Sequence, residues 1–80
     1  VDDYWCYVQP VAEAVRAEVL KSLGDATLST SVVGQIVQRG LVQFADSFRL
    51  NEGKEPTDTQ IAAVNFELED VANRAVAGGK

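Results

Sequence analysis

The chain has 80 residues and a formal net charge of −5, with one cysteine and no histidine. This length predicts a single domain over residues 1–80, and one cysteine excludes a disulfide framework. No apolar run reaches the roughly 18 residues of a transmembrane helix, and no basic start precedes an apolar stretch, so we expect neither a membrane span nor a signal peptide. The acidic balance also makes nonspecific attraction to nucleic acid weak.

The first helix is predicted over residues 10–23. Pro10 suits the first position of a helix, where its missing N–H costs nothing. Apolar residues follow it at helical spacing. Gly24 comes directly after them and suits the left-handed position beyond a helix end, so the helix is expected to stop at residue 23.

Residues 1–9 form an aromatic N-terminal segment, in which Tyr4, Trp5 and Tyr7 make up half of the six aromatic residues. These three predict either a binding hot spot or the closure of one end of a small core. An alternative interpretation extends the first helix back to Asp3, with the proline as a kink, because Tyr4 and Trp5 share a face with the apolar stripe.

The second helix is predicted over residues 29–49. Ser29 or Thr30 supplies its N-cap. Gly40 lies inside the apolar stripe, where it indicates either a close approach of another helix or a break between two shorter helices. The β-branched run at 30–33 leaves a short strand as an alternative.

The third helix is predicted over residues 57–76, after a loop that contains Gly53 and Pro56. Thr57 and Gln60 match a capping box, in which each side chain bonds to the backbone N–H of the other residue. Residues 77–80 are expected to fray. Three helices with short connections predict an all-α class, a small three-helix bundle.

The residue types of common catalytic and metal sites are missing from the sequence. Without histidine, the chain lacks the commonest general base near neutral pH and the commonest metal ligand. No glycine pattern matches a phosphate-binding loop. Glu67, Glu69 and Asp70 form the densest acidic cluster, and we expect them to be solvated rather than buried as a catalytic pair requires. We therefore predict no enzyme activity, no metal site and no cofactor.

The sequence does predict surfaces for contact. Phe66 falls roughly 140° from Ile61 around the third helix, on an otherwise polar face. A large aromatic residue there indicates a second packing surface. Val42 is placed similarly on the second helix. The candidate interface residues are Phe66, Ala62, Ala63, Asp70, Val42, Tyr4, Trp5 and Tyr7.

These features predict a small acidic protein-interaction module that binds, adapts or inhibits a larger protein, as a homodimer or an assembly subunit. Small domains without disulfides or metals often gain core by oligomerising. The lone Cys6 favours a cytoplasmic setting. By analogy, such proteins are frequent among phage and plasmid accessory factors. The sequence contains nothing that identifies the partner.

A dimeric helix-turn-helix DNA regulator is the main alternative. Gln35, Gln38, Gln43, Arg39 and Arg49 give the second helix side chains that can read base edges. Affinity for DNA depends chiefly on phosphate contacts, however, and few basic residues lie on this helix. Nucleic acid is therefore not the expected partner.

A more remote alternative comes from Asp46-Ser47-Phe48. This tripeptide resembles the Asp-Ser-Leu of acyl carrier proteins, which are acidic, helical and of similar size. The resemblance covers three residues, one of them altered, and implies that Ser47 carries a phosphopantetheine group. In that family the serine opens a helix after a glycine-rich loop, whereas Ser47 falls near the end of the second predicted helix.

Overall fold

The computed structural model describes residues 4–24 and 29–78. Three helices make up the fold: α1 (Trp5–Gly24), α2 (Thr30–Glu52) and α3 (Asp58–Gly78). Each helix packs against the other two, which confirms the all-α three-helix bundle. The predicted connection at residues 25–28 and the chain ends at 1–3 and 79–80 lie outside the described residues.

Helix α1 begins before the proline, so the predicted start at residue 10 is wrong and the extended alternative is correct from Trp5 onward. Pro10 lies inside the helix on its exposed side, where it cannot donate to the carbonyl four residues earlier. Burial of Tyr4 and Val8 offsets that lost bond. Gly24 is the last helical residue, rather than a left-handed residue beyond the end.

Helix α2 is capped at both ends. The Ser29 side chain accepts a hydrogen bond from the Val32 N–H at 3.3 Å, as predicted for the N-cap, and residues 30–33 are helical rather than a strand. The predicted end at residue 49 is three residues too early. Gly53 adopts a left-handed conformation with φ of 70° and its N–H donates to the Arg49 carbonyl, so the helix continues to Glu52.

Gly40 marks a close helix contact and does not break α2, which is continuous across it. A Cβ atom built on Gly40 would lie 2.7 Å from Val15 Cγ2, and 3.2 Å from both Val11 Cγ1 and Leu68 Cδ1. The three helices therefore meet at this position, where only a hydrogen fits.

The capping box of α3 is confirmed. The Thr57 N–H donates to Gln60 Oε1 at 2.9 Å, and the Gln60 N–H donates to Thr57 Oγ1 at 3.1 Å. The helix begins at Asp58 and continues to Gly78, so two residues of the predicted frayed tail are helical. The cap fixes the phase of α3, with Val64 and Leu68 fully buried.

The core lies along the centre of the bundle, and α1 and α2 run antiparallel around it. Tyr7 near the start of α1 meets Phe48 near the end of α2, and a five-residue connection at 53–57 turns the chain back into α3. Among the described residues, no helix combines the length and the hydrophobicity needed to cross a bilayer.

Candidate interaction surface

Phe66 projects from the outer side of α3 and is 74% exposed. On the same helix Val64, Leu68 and Ala72 are fully buried, so the helical phase predicted from the sequence is confirmed. Phe66 contributes little to the core, because most of its ring lies in water. Burial of a phenylalanine side chain is favourable by about 2 kcal/mol. A partner could therefore obtain that gain by covering the ring.

The other predicted residues of this surface surround the Phe66 ring. Ala62 is exposed and Ala63 half-buried, one turn before it, and Asp70 is half-buried one turn after it. Glu69, which the sequence places beside Asp70, is exposed on the same side. We call these five residues, Ala62, Ala63, Phe66, Glu69 and Asp70, the Phe66 face.

Two polar contacts order the acidic end of the Phe66 face. The Asn65 side-chain amide donates to Glu69 Oε1 at 3.0 Å, and Arg74 Nε lies 3.0 Å from Asp70 Oδ2 in an exposed i,i+4 pair. Such exposed pairs contribute a few tenths of a kcal/mol. Asp70 can therefore exchange Arg74 for a cation of a partner at little cost.

Val42 lies on a different side of the bundle from Phe66. It is 54% exposed and points away from the buried stripe of α2, which includes Ile36, Phe44 and Phe48. Since Phe66 points away from the core on α3, the two side chains occupy the outer faces of two different helices. The structure does not bring these two predicted interface residues together.

Two of the three N-terminal aromatic residues pack against the C-terminal half of α2, and the third stacks on one of them. Tyr4 is 8% exposed, with its ring centroid 6.0 Å from that of Phe44. Trp5 stacks on Tyr4 at 5.4 Å and is 37% exposed. Tyr4 thus closes one end of the core, as the second interpretation of the sequence predicted, whereas Trp5 still presents part of its ring to solvent.

Tyr7 joins α1 to the end of α2 by both its ring and its hydroxyl. The ring meets Phe48 edge-on at 5.9 Å, and the hydroxyl donates to Glu52 Oε2 at 2.7 Å. The hydrogen bond to the carboxylate, together with desolvation, raises the pKa of Tyr7 to about 12. Tyr7 is therefore a structural tie at this end of the bundle, held in its protonated form.

Leu50 is an exposed apolar residue that the sequence did not single out. It lies in the last turn of α2 and is 85% exposed, more than any other large apolar residue described. The prediction ended this helix at residue 49, so Leu50 fell outside the predicted helix. The glycine at position 53 was the sequence signal that could have extended the predicted helix past Leu50, because a left-handed glycine often follows a helix end.

The arginines of α2, which suggested DNA binding, are not both available to bind phosphate groups. Arg49 binds the carboxylates of Asp46, at 2.7 Å, and Glu55, and the hydrogen bond to Asp46 and the charge of Glu55 raise its pKa. Arg49 is thus occupied by acidic partners within the chain, which leaves Arg39 as the other basic residue of α2. This arrangement offers little attraction for phosphate groups.

Ser47 lies inside α2, five residues before its end, and is half-buried. Its carbonyl accepts a hydrogen bond from the Asn51 side chain at 2.9 Å. The acyl-carrier resemblance expects the serine at the start of a helix, whereas the structure places Ser47 near the end of one.

Within residues 4–24 and 29–78, every buried side chain is apolar, so no buried polar groups are grouped there. No three potential metal ligands cluster in the same part of the chain. An open groove of about 340 Å³ lies between α1 and α2, and Glu18, Lys21 and Arg39 line it beside Gly40. Comparison with protein-family models, curated proteins and solved structures found no match.

Proposed function

We propose that this chain is a protein-interaction module that binds, adapts or inhibits a larger protein, as a homodimer or as a subunit of an assembly. The observation that carries this proposal is the 74% exposure of Phe66 on a helix whose other large apolar residues are at least partly buried. Aromatic residues, phenylalanine among them, are enriched at the core of protein interfaces. The Phe66 face is the proposed contact surface.

The surroundings of Phe66 support contact rather than chemistry. Ala62 and Ala63 are small enough for the backbone of a partner to approach the helix beside the ring, while Glu69 and Asp70 supply polar groups at the rim. The described part of the chain has no buried polar side chain that could serve as a tuned acid or base. We therefore propose a binding role with no catalytic step.

The proposed location is the cytoplasm. Cys6 is the single cysteine of the chain, and proteins without a disulfide framework are typical of reducing compartments. A role as an accessory protein of a phage or plasmid remains an analogy with other small acidic helical proteins.

The test compares partner capture by the tagged full chain and two matched variants. Phe66→Asp places a charge on the Phe66 face, and Leu50→Asp makes the same kind of change at an apolar position on α2 that is even more exposed. We expect a protein captured from the native lysate and identified by mass spectrometry to be lost with Phe66→Asp and retained with Leu50→Asp.

Light scattering on the same three proteins tests self-association. A homodimer that uses the Phe66 face would fall to the monomer mass in Phe66→Asp alone. Equal capture and equal mass for all three proteins would contradict the proposed role of this face.

A further inference from the structure

The negative charge of the described helices is concentrated on one of them. Helix α3 carries four acidic residues, Asp58, Glu67, Glu69 and Asp70, against the single basic residue Arg74, a net charge of −3. Helices α1 and α2 each carry two acidic and two basic residues, and the 53–57 connection carries one of each. The helix with the exposed phenylalanine is therefore also the acidic one.

This charge makes a second copy of the chain a poor occupant of the Phe66 face. If two copies of α3 pair antiparallel about Phe66, Glu69 and Asp70 lie opposite Ala63 and Ala62, which offer neither a cation nor a side-chain donor. If the two helices pair parallel, Glu69 lies opposite Glu69. Both arrangements bring together two helices of net charge −3, and the juxtaposition of like charges at an interface is costly.

A basic amphipathic helix fits the same face. Its apolar side chains would cover Phe66 and pack onto Ala62 and Ala63, because small residues allow close helix approach. Its lysine or arginine side chains would reach Glu69 and Asp70, which lie three and four residues beyond Phe66 on the same side of α3. The weak surface pair between Asp70 and Arg74 is then replaced by a pair shielded at an interface rim.

We propose that the Phe66 face is the docking site for a basic amphipathic helix of another protein. This inference rests on the proposed interaction role and adds the chemistry of the partner. Phe66 supplies the apolar anchor, and the acidic surplus of α3 attracts and orients the basic helix. Association should consequently be fast at low ionic strength and should weaken as salt is added.

The experiment titrates the isotope-labelled full chain with a synthetic 18-residue peptide of leucine, alanine and lysine, patterned as an amphipathic helix. A peptide of the same composition in scrambled order removes the apolar stripe, and a peptide with glutamate for lysine reverses the charge. We expect backbone amide shifts centred on residues 62–70 with the basic amphipathic peptide. We expect far weaker binding by both control peptides.

Variants identify the groups that bind. Phe66→Ala should lower the affinity about tenfold or more, since truncated aromatic anchors often exceed the 1.4 kcal/mol that corresponds to a tenfold change. Glu69→Gln with Asp70→Asn should weaken binding at low salt and flatten its salt dependence. Leu50→Ala, at an exposed apolar position in the last turn of α2, is the matched control and should bind as the native chain does.

Several outcomes overturn the proposal. The proposal is wrong if millimolar basic peptide at low salt causes no amide shifts, or if the shifts centre on α1 or α2. It is also wrong if the glutamate peptide binds equally well, or if the chain associates with itself through residues 62–70 as its concentration rises. If the peptide fails while Phe66→Asp still abolishes capture of the native partner, the contact role stands and the basic helical partner is wrong. If both fail, the interaction role is wrong as well.

Discussion

Phe44 and Phe66 lie on neighbouring helices, one inside the bundle and one outside it. Phe44 is fully buried, with the rings of Tyr4 and Phe48 about 6 Å away, whereas Phe66 is bordered by alanines and carboxylates on the Phe66 face. The glycines of α2 form a similar pair, since Gly40 touches two other helices and Gly34 has open space beside it. Identical residues thus differ in role because helical phase sets their surroundings.

The largest expected difference is between the two phenylalanines. Phe44→Ala should lower the free energy of unfolding by about 3–5 kcal/mol, because it leaves a cavity among packed rings. Phe66→Ala should change it by less than about 0.5 kcal/mol, since the ring is mostly in water. Urea unfolding followed by circular dichroism measures both.

The milder variant Phe44→Leu keeps that comparison measurable if Phe44→Ala fails to fold, and it should cost about 1 kcal/mol. Similar losses for the substitutions at positions 44 and 66 would mean that Phe66 is buried in solution, by a second copy or by a different packing of α3.

The two glycines should respond to alanine with opposite signs. Gly40→Ala should destabilise the bundle by about 1–3 kcal/mol, because the new methyl group would meet the Val15 side chain, whose branched carbon is stiff in a helix. Gly34→Ala should stabilise it by about 0.5–1 kcal/mol through helix propensity alone. Thermal unfolding of both variants checks this, and a gain in stability at Gly40 would disprove the three-helix contact there.

The smallest expected effect concerns pH at the aromatic end. The pKa of Tyr7 is about 12 in the folded chain and about 10 in the unfolded chain, so its bond to Glu52 stabilises the fold fully below about pH 10. That contribution is lost as the pH rises from about 10 to 12. Tyr7→Phe keeps the ring against Phe48 and removes the hydroxyl.

Unfolding midpoints at pH 9 and pH 11 test this sign. The native chain should lose more stability between the two values than Tyr7→Phe, and the variant corrects for every change that does not come from the Tyr7 hydroxyl. Equal losses in the two proteins would show that the hydroxyl bond contributes nothing.

Local chemistry explains which helix boundaries the sequence could predict. The start of α3 was predicted within one residue, because Thr57 and Gln60 satisfy each other's backbone N–H groups without help from the rest of the fold. The start of α1 was not, because one hydrogen bond lost at Pro10 is outweighed by burial of Tyr4 against α2. Whether Gly40 breaks a helix also depends on the residues of other helices that pack beside it. The periodicity of one helix gives no information about those residues.

The candidate surface divides in the same way. The exposure of Phe66 and Val42 follows from their phase within one helix, and the structure confirms it. The depth of Tyr4 depends on the position of Phe44 on another helix, so the sequence left two interpretations open. The concentration of negative charge on α3 could have been counted from the sequence once the helix boundaries were known.

The connection between α2 and α3 is only five residues long, with a left-handed glycine at one end and a capping box at the other. Closing so short a loop costs little chain entropy, and both turns are specified by nearby residues. We therefore expect the α2–α3 hairpin to form early in folding, with α1 docking onto it afterwards.

Folding rates should then be sensitive to Gly53→Ala, while Val15→Ala should mainly accelerate unfolding. The opposite pattern would place the folding nucleus at the α1–α2 contact.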